Sequence, residues 1–492
     1  MDSAPQGRDD RTTTGSDFLQ LRIGDAPPGG LSDWLADRLR LAISDGRLPI
    51  GARLPATRVL AAELRVSRGV VTETYQRLIE DGHVAGRGRA GTVVVAAPLT
   101  VPAPERPPRP TGISAVFAGE PDTEVFEALR ATSARFDLSP GLPDLAAFPR
   151  AAWLRAERTV LSSLSATDLG YGDPRGAPAL QVAVSHWLAR NRGIRVQPRE
   201  VVVVAGVAQA LALLAQVLTT RGITTVAVED PGSLGARQQL QVWGLTTPPV
   251  PVDGDGLRVD ALRRSGAPAV LLTPAHQFPT GVVLDGERRR ELMSWAADGG
   301  LVIEDDYDAE HRYDRSPVPA LHSMLAEHVC YAGSVSKLLA PALRVGWVIP
   351  PAMLHDDVVA AKRNSDLGNA VLPQLALARL MESGEMERHL RMVRRRHRVR
   401  RDAMIAAVRR HLPGAVVHGA AAGLHLMITF STPVDDAELA MAALAADVKV
   451  QPLSWHRQRP GAPGLVLGYA ASAPSDIEAG MAALGGALRA LL

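Results

Sequence analysis

Residues 331–344 read Tyr331-Ala-Gly-Ser-Val-Ser-Lys337-Leu-Leu-Ala-Pro-Ala-Leu-Arg344 and surround one of only three lysines in the chain. Nearly all other cations are arginines, of which there are more than fifty. The guanidinium of arginine stays protonated and forms no imine, whereas a lysine amine can lose its proton and attack an aldehyde. Lys337 is therefore the first candidate for covalent chemistry, and a surface lysine without a role is the alternative.

The chain of 492 residues is long enough for two or three domains. Its formal net charge of +2 indicates no global preference for nucleic acid or membrane, although a local basic region can lie within that balance. A single cysteine, Cys330, excludes an internal disulfide and fits a reducing compartment. No apolar run reaches the roughly eighteen residues of a membrane span, and the polar start has no apolar signal region. We therefore expect a cytoplasmic protein.

Residues 26–96 carry the pattern of three helices followed by a hairpin. Apolar residues recur at helical spacing over 31–43, and a short second helix follows. Ser67 is a good N-cap for a third helix, and residues 83–95 form two short strand patterns around a tip of glycine and arginine. This order predicts a winged helix-turn-helix domain. The polar residues 1–25 before it are expected to be disordered.

Positive charge concentrates on the second and third helices and the hairpin of this domain. Residues 47–95 hold eight arginines against four acidic residues. Arginine suits phosphate contacts and bidentate recognition of guanine, and a helix of this type enters the major groove. The domain is therefore predicted to bind double-stranded DNA, and a small helical module for protein interaction is the alternative.

Four stretches of this domain resemble the GntR-type winged helix. They are Leu-Pro-Ala-Thr-Arg58, Leu-Arg-Val-Ser-Arg68, Thr74-Tyr-Gln-Arg-Leu-Ile-Glu-Asp-Gly82 and Gly-Arg-Ala-Gly-Thr92. The resemblance implies operator DNA as the partner. The residues that it places at phosphates and bases are Arg58, Ser67, Arg68 and Thr72, with Arg87 and Arg89 at the minor groove. Gly69 stands where such helices often carry a polar residue, so base preference is left open.

A proline-rich linker and a second, larger domain follow. Residues 97–134 are assigned to the linker, because six prolines between Pro98 and Pro110 favour an extended spacer. Over residues 135–492, β-rich runs alternate with helical patterns; the runs lie at 201–205, 225–229, 269–273, 301–305 and 347–349. This alternation predicts an α/β fold with a mostly parallel, doubly wound sheet. The tail from about residue 375, with a strand at 424–430, suits a smaller α+β subdomain.

The large domain offers each group that pyridoxal 5'-phosphate needs from a protein. Lys337 supplies an amine for the aldehyde. Gly206 follows a strand and opens a helix, so that backbone N–H groups can hold a phosphate. Asp305 and Tyr307 end another strand and place a carboxylate and a phenol at the carboxyl edge of the sheet, where ligands bind in such folds. Further phosphate donors are Ser334, Ser336 and Arg344.

This constellation resembles the fold-type I aminotransferases over residues 135–492. The matching motifs are Tyr171-Gly-Asp-Pro-Arg-Gly176, Glu229-Asp-Pro-Gly232, Thr273-Pro-Ala-His-Gln-Phe-Pro-Thr-Gly281 and Glu304-Asp-Asp-Tyr-Asp308. They match the variant that is fused to GntR-type winged helices, so the whole chain resembles the MocR-family transcriptional regulators.

The resemblance implies a role for each candidate residue. Lys337 is the Schiff-base lysine, Asp305 the partner of the pyridine nitrogen with Asp306 as the alternative, and Tyr307 the contact of the phenolic oxygen. Tyr171 reaches the phosphate in the neighbouring subunit's site, which implies a homodimer. The phosphate contacts are Ser334, Ser336 and Arg344.

Three departures from the aminotransferase pattern weaken the site. Val207 and Ala208 follow Gly206 where a hydroxyl or amide is usual, and Ser233 occupies the place of an aromatic that stacks on the cofactor. The segment Gly464-Leu-Val-Leu-Gly-Tyr469 lacks the arginine that binds a substrate carboxylate. A lost hydroxyl or stacking ring costs about 1 kcal/mol each. The missing arginine argues more strongly against turnover of amino acids.

The sequence thus predicts a regulator that binds DNA, carries pyridoxal phosphate as an imine on Lys337, and senses that cofactor or an amino compound. It predicts no catalytic residue. It also predicts no metal site, because neighbouring residues in the acidic run 305–310 would alternate between the two faces of a strand. Two alternatives remain open. One is an active aminotransferase with a DNA-binding appendage, and the other is a regulator whose cofactor site has decayed.

Overall fold

The computed structural model describes residues 15–16, 19, 21–27, 30–86, 88, 91–95, 117, 121, 123–313 and 318–492. Its contacts divide the chain into two compact units on either side of residue 110. Within the described ranges, no helix combines the length and apolar character needed to cross a membrane.

The small unit has the predicted winged-helix order. Its elements are β1 (Gly15–Ser16), β2 (Leu21–Arg22), α1 (Leu31–Ser44), α2 (Thr57–Leu64), α3 (Arg68–Glu80), β3 (Val84–Gly86) and β4 (Thr92–Val94). The turn between α2 and α3 is closed by Arg65 in the left-handed region at φ 53°, and the Ser67 side chain caps α3. Strands β3 and β4 form the antiparallel hairpin that the sequence predicts.

The apolar faces of the three helices and the hairpin form one core. Leu39, Leu60 and Val71 are buried at its centre. Leu21 also packs into this core, and β2 pairs with β1. This differs from the disorder expected for residues 1–25, because alternating apolar residues at the end of that segment find a buried partner; residues 1–14 lie outside the described part of the chain.

The large unit is built on an eight-stranded mixed sheet with the order β6-β13-β12-β11-β10-β7-β8-β9. The strands are β6 (Val202–Val204), β7 (Val226–Asp230), β8 (Pro249–Asp253), β9 (Gly256–Leu257), β10 (Ala269–Leu272), β11 (Leu301–Asp306), β12 (Val329–Ser334) and β13 (Gly346–Ile349). Only β9 and β13 run against the common direction. The predicted mostly parallel sheet is therefore confirmed, and all five predicted strand runs are present.

Both faces of this sheet are covered by helices, as its continuous apolar strands require. Alternate residues of one strand serve opposite faces: Val202 and Val204 pack in one core and Val203 in another. The helices before, between and after the strands of this sheet are α5 (Arg150–Ser163), α6 (Pro178–Arg192), α7 (Val207–Thr220), α8 (Leu234–Val242), α9 (Val259–Ser265), α10 (Gly286–Ala297), α11 (Ala352–Asp366) and α12 (Val371–Glu382).

The C-terminal part forms the predicted α+β subdomain. Its antiparallel sheet joins β14 (Ala415–His418), β15 (His425–Phe430), β18 (Gly464–Gly468) and β17 (Gln451–Pro452), next to α13 (Glu385–His411), α14 (Asp436–Ala445) and α15 (Pro474–Leu491). A separate parallel pair joins β5 (Phe136–Asp137) to β16 (Val448–Lys449).

The end of the predicted linker belongs to this subdomain. Helix α4 (Val125–Ala131) buries Val125 and Leu129 in its core, and Phe117 stacks on Trp455 with ring centroids 5.3 Å apart. The assignment of 97–134 to a linker therefore extends too far, because these apolar residues have partners that are distant in sequence. Residues 96–116, which include the prolines from Pro98 on, lie outside the described residues.

Candidate functional site

The parallel strands of the large sheet deliver their carboxyl ends to one cavity of about 590 Å³. The loops after β6, β10, β11 and β12 all contribute to its wall, as expected at the carboxyl edge of such a sheet. The predicted cofactor residues that line it are Lys337, Asp305, Tyr307, Ser334, Ser336 and Arg344. The structure thus brings together residues that are far apart along the chain.

Lys337 lies just after β12, and its side chain reaches across the cavity. Its Nζ donates a hydrogen bond of 2.5 Å to the Gly141 carbonyl oxygen. Burial lowers the pKa of the Lys337 amine, while the charges of Asp305 and Asp308 act in the opposite direction. Burial therefore favours the neutral, nucleophilic form of this amine.

Asp305 and Asp306 are separated by strand alternation. Asp305 lines the cavity, whereas Asp306 accepts from Arg192 Nε at 2.5 Å and from Tyr331 OH at 2.6 Å within the core. This geometry favours Asp305 over the alternative Asp306 as a ligand-binding carboxylate. A buried arginine with its own ion pair is a structural element, since removing one partner leaves an uncompensated charge.

The Asp305 carboxylate has an oxygen without a hydrogen-bond partner within the described part of the chain. Its Oδ1 is buried without a hydrogen-bond donor. Burial raises the pKa of its carboxyl to about 7, and the charges of Asp306 and Asp308 act in the same direction, against that of Lys337. A protonated pyridine offers a cationic ring N–H, which would donate a hydrogen bond to this oxygen.

Tyr307 is held by a hydrogen-bonded pair. Its OH lies 3.0 Å from His276 Nδ1, which also lies 2.9 Å from Asp308 Oδ2. Burial raises the pKa of the Tyr307 phenol well above its usual range, so the phenol stays protonated and available as a donor. The link between His276 and Tyr307 was not predicted, although both residues lie in matched motifs.

His276, Asp308 and His425 also offer one ligand atom each within 4.8 Å of one another. This spacing is compatible with a metal ion, and in the structure His276 Nδ1 is used in the contacts with Tyr307 and Asp308. The absence of a metal site stays a prediction.

The helix start that the sequence predicts as a phosphate-binding element is the N-terminus of α7. Gly206 has φ +89°, and a Cβ added there would lie 3.3 Å from Arg344 Nη1, so the guanidinium packs against the glycine. Ser334 Oγ accepts from the Ser336 N–H at 3.4 Å. The serines, the arginine and the free N–H groups of the helix start together make a basic, donor-rich corner.

The three sequence departures have visible consequences. Val207 and Ala208 line the cavity with apolar side chains next to the helix start. Ser233 caps α8 by accepting from the Ala236 N–H at 3.3 Å, which gives this serine a structural role. Val466 is fully buried, on β18, where the carboxylate-binding arginine was expected.

The cavity nevertheless has an aromatic wall that sequence reasoning did not single out. Phe278 lines it, with ring centroids 4.9 Å from His425, 5.0 Å from His456 and 6.2 Å from Tyr307. Phe278 lies within the quoted motif 273–281, so the signal was present in the sequence.

Tyr171 does not join the cavity. Its side chain is 96% exposed on the loop before α6.

The candidate DNA-contacting residues of the small unit share one feature, which is exposure. They are Arg58, Ser67, Arg68 and Thr72. Ser67 Oγ accepts from the Val70 N–H at 3.3 Å, and Arg68 Nε lies 3.4 Å from Thr57 Oγ1, so α2 and α3 are tied at the turn. Arg87 and Arg89 lie outside the described residues.

Known proteins resemble both units. Residues 136–458 match the model of aminotransferase class I and II, and residues 31–94 match that of the bacterial regulatory proteins of the gntR family. The probable rhizopine catabolism regulatory protein MocR of Rhizobium meliloti is 32% identical, with 93% of each chain covered. The pyridoxine biosynthesis transcriptional regulator PdxR of Corynebacterium glutamicum is 30% identical, over 92% of this chain and 94% of that one.

Among solved structures, a multiple substrate aminotransferase from Thermococcus profundus has a TM-score of 0.69 at 27% identity, covering 75% of this chain and 95% of its own. The chain therefore belongs to the MocR-type transcriptional regulators, in which a GntR-type winged helix is joined to an aminotransferase class I and II domain. This family and this fold imply pyridoxal 5'-phosphate as the cofactor.

The residues present fit that cofactor. The unpartnered Asp305 Oδ1 suits a pyridine nitrogen, Tyr307 a phenolic oxygen, and the corner around Arg344 a phosphate. Lys337 lies on the same cavity wall as these groups.

Proposed function

We propose that this chain is a transcriptional regulator in which Lys337 holds pyridoxal phosphate covalently as a sensor of that cofactor or of an amino compound. The observation that carries the proposal is the Lys337 amine, whose pKa is lowered by burial, in one cavity with the unpartnered Asp305 carboxylate. When bound, the cofactor supplies an aldehyde carbon that forms a C=N bond to a lysine nitrogen, with loss of water.

The small unit reads the operator. Arg68 and Thr72 occupy the exposed start of α3, the helix that enters the major groove in this class of domain. Arg58 contacts phosphate from α2, and Ser67 contacts the operator at the start of α3 while it caps that helix. Arg87 and Arg89 reach the minor groove from the hairpin.

Coupling between the two sites runs through helix α4. This helix begins 15 residues after Pro110, the last proline of the proline-rich segment, and its residues Phe126, Leu129 and Arg130 line the cavity. A ligand that changes how α4 packs therefore acts on the chain segment that leads to the DNA-binding unit. Such a ligand shifts the population of states in proportion to its differential affinity for them.

The regulator acts as a homodimer in which Tyr171 completes the partner's phosphate subsite. The extreme exposure of Tyr171 and its position outside the cavity of its own chain support this role. A buried tyrosine at that position would have argued against it.

Turnover of amino acids is the second candidate, and the fully buried Val466 disfavours it. The cationic side chains on the described cavity wall are Arg130, Lys337, Arg344 and Lys449. None stands at the position of the missing arginine, so physiological transamination is not expected.

The test of the cofactor site is the visible absorbance after pyridoxal phosphate is added to purified protein. The wild type is expected to develop an imine band that Lys337→Ala lacks, and a control Lys362→Arg variant, which keeps a cation beside Asp366, is expected to retain it. Lys362 is buried in an ion pair with Asp366, 2.6 Å away. Equal spectra for wild type and Lys337→Ala would refute the proposal.

A further inference from the structure

We propose that Lys449, assisted by Ser139, binds the anionic group of the amino compound within the cavity that Lys337 lines. The inference rests on the proposed function, because it names the chemical class of the ligand that Lys337 and the cofactor would sense. That class is a primary amine joined to a carboxylate by a short chain.

Lys449 is the second lysine of this arginine-rich chain that faces the cavity. It lies on β16 and is 5% exposed, so its ammonium is largely removed from bulk water. Among the described residues, its ion-pair partner is Asp137, whose Oδ2 lies 3.4 Å from Lys449 Nζ. That distance is long for a charge-assisted hydrogen bond, which is typically about 2.7–2.9 Å, so the ammonium keeps capacity for a second anion.

The side chains around Lys449 reinforce an anion site. Ser139 lines the same cavity, is about nine-tenths buried, and its Oγ has no hydrogen-bond partner within the described part of the chain. Across the whole lining, the cations Arg130, Lys337, Arg344 and Lys449 outnumber the two carboxylates, Asp137 and Asp305. A buried hydroxyl without a partner costs free energy, and a ligand oxygen would remove that cost.

One short segment connects this corner to the reactive amine. Asp137 faces Lys449 at its start, Ser139 lies in its middle, and the Gly141 carbonyl accepts from Lys337 Nζ at its end. Four residues of extended chain span at most about 14 Å. A ligand whose amine replaces Lys337 on the cofactor carbon, breaking one C=N bond as the other forms and freeing the Lys337 amine, would place its carboxylate at Lys449 when its chain matches a separation below that limit.

The structural alternative is a cross-strand ion pair. Lys449 and Asp137 are direct register partners on β16 and β5, and such a pair holds two strands together. The two accounts make opposite predictions for Asp137. If the pair only holds the strands together, loss of either partner lowers the stability of the fold and does not improve acid binding. If Lys449 is an anion site, removal of the competing Asp137 carboxylate raises the affinity for the acid.

The experiment uses full-length protein loaded with pyridoxal phosphate. The probes are 3-aminopropanoate, 5-aminopentanoate and 7-aminoheptanoate, each paired with the alkylamine of the same carbon number. Affinity is measured from the change in cofactor absorbance and from the heat of binding. At least one acid is expected to bind the wild type about tenfold more tightly than its matched amine.

Two variants separate the accounts. Lys449→Met is expected to abolish the preference for the acid, so that each acid and its matched amine bind equally well, and Asp137→Asn is expected to strengthen acid binding severalfold. If Lys449→Met fails to fold, Asp137→Asn still decides, because equal or weaker acid binding in that variant overturns the site. Equal affinity for acid and amine in the wild type overturns it as well.

Failure of the proposed function gives a different result. Wild-type protein without an imine band overturns the cofactor sensor itself. A normal band combined with no acid preference overturns only the assignment of Lys449.

Discussion

Arg58 and Arg68 lie exposed on two helices of the small unit, whereas Lys337 and Asp305 lie at buried strand ends of the large one. Exposed arginines bind a polyanion such as DNA through their charge, and they have little effect on the stability of the fold. Buried ionisable groups change their proton affinity and reduce the stability of the fold when they ionise unpaired. The two units should therefore respond to mutation in different ways, the small one in binding and the large one in binding and stability together.

The largest expected effect is that of Asp306→Asn in the large unit. The variant removes the charge that pairs with the fully buried Arg192, so the free energy of unfolding should fall by about 3–5 kcal/mol. Urea denaturation followed by tryptophan fluorescence measures it. A stable Asp306→Asn variant with weakened cofactor binding would return the pyridine role to Asp306.

Asp305→Asn should give the opposite pattern one residue away. Pyridoxal phosphate should bind about tenfold to a hundredfold more weakly, because a hydrogen bond to a charged group is lost. The cofactor-free variant should nevertheless be more stable than wild type at high pH. The folded-state pKa of Asp305 is raised to about 7 from 3.8, so wild type loses stability as the pH rises through that window.

Equilibrium dialysis and thermal unfolding at pH 5 and pH 8.5 test both halves of that prediction. At pH 5 the stability advantage of Asp305→Asn should shrink, because the wild-type carboxyl is protonated there. Unchanged cofactor affinity would remove Asp305 from the site.

Arg68→Ala should affect DNA binding far more than stability, because its contact with Thr57 is long and exposed. Loss of one phosphate contact should weaken operator binding and lower the slope of log affinity against log salt by about one. Gel shifts at several salt concentrations measure this. Arg47→Ala is the matched control, since Asp45 holds that arginine at 2.7 Å. Equal slopes for Arg68→Ala and wild type would exclude the phosphate contact.

The smallest expected effect is that of Ser67→Ala, which removes the N-cap of α3. The small unit should lose about 1 kcal/mol of stability, because the Val70 N–H loses its acceptor. Thermal unfolding measures the change. A Ser67→Thr variant should restore most of it, and a loss of DNA binding without a loss of stability would show that the hydroxyl contributes through the operator and not as a cap.

Local patterns predicted most of this fold. The valine-rich run at 201–205 and the acidic strand end at 301–305 became β6 and β11, because apolar β-branched residues and alternation identify strands directly. Strand β12 was not predicted. After Val329 its sequence is Cys-Tyr-Ala-Gly-Ser, which gives little β signal, and its place in the sheet depends on pairing with β11. Helix α4 was not predicted, because the prolines of the preceding segment led to the assignment of its residues to the linker.

Candidate site residues were predicted where a single motif contains them. They were missed where residues distant in sequence come together only in the fold. The carboxylate and the phenol came from a single stretch, Asp305 to Tyr307. Ser139 and Lys449 are some three hundred residues apart, and only the pairing of β5 with β16 brings them to one wall. Burial, which leaves Asp305 and Ser139 without partners, has no signature in the sequence.

The central claim is that the cofactor on Lys337 changes how the chain binds DNA. The direct test is operator affinity, measured by fluorescence anisotropy with and without pyridoxal phosphate, in wild type and Lys337→Ala. A coupling of about 1–3 kcal/mol predicts a shift of about fivefold to a hundredfold in wild type and none in the variant. Equal affinities with and without the cofactor in wild type, or the same shift in both proteins, would contradict the account.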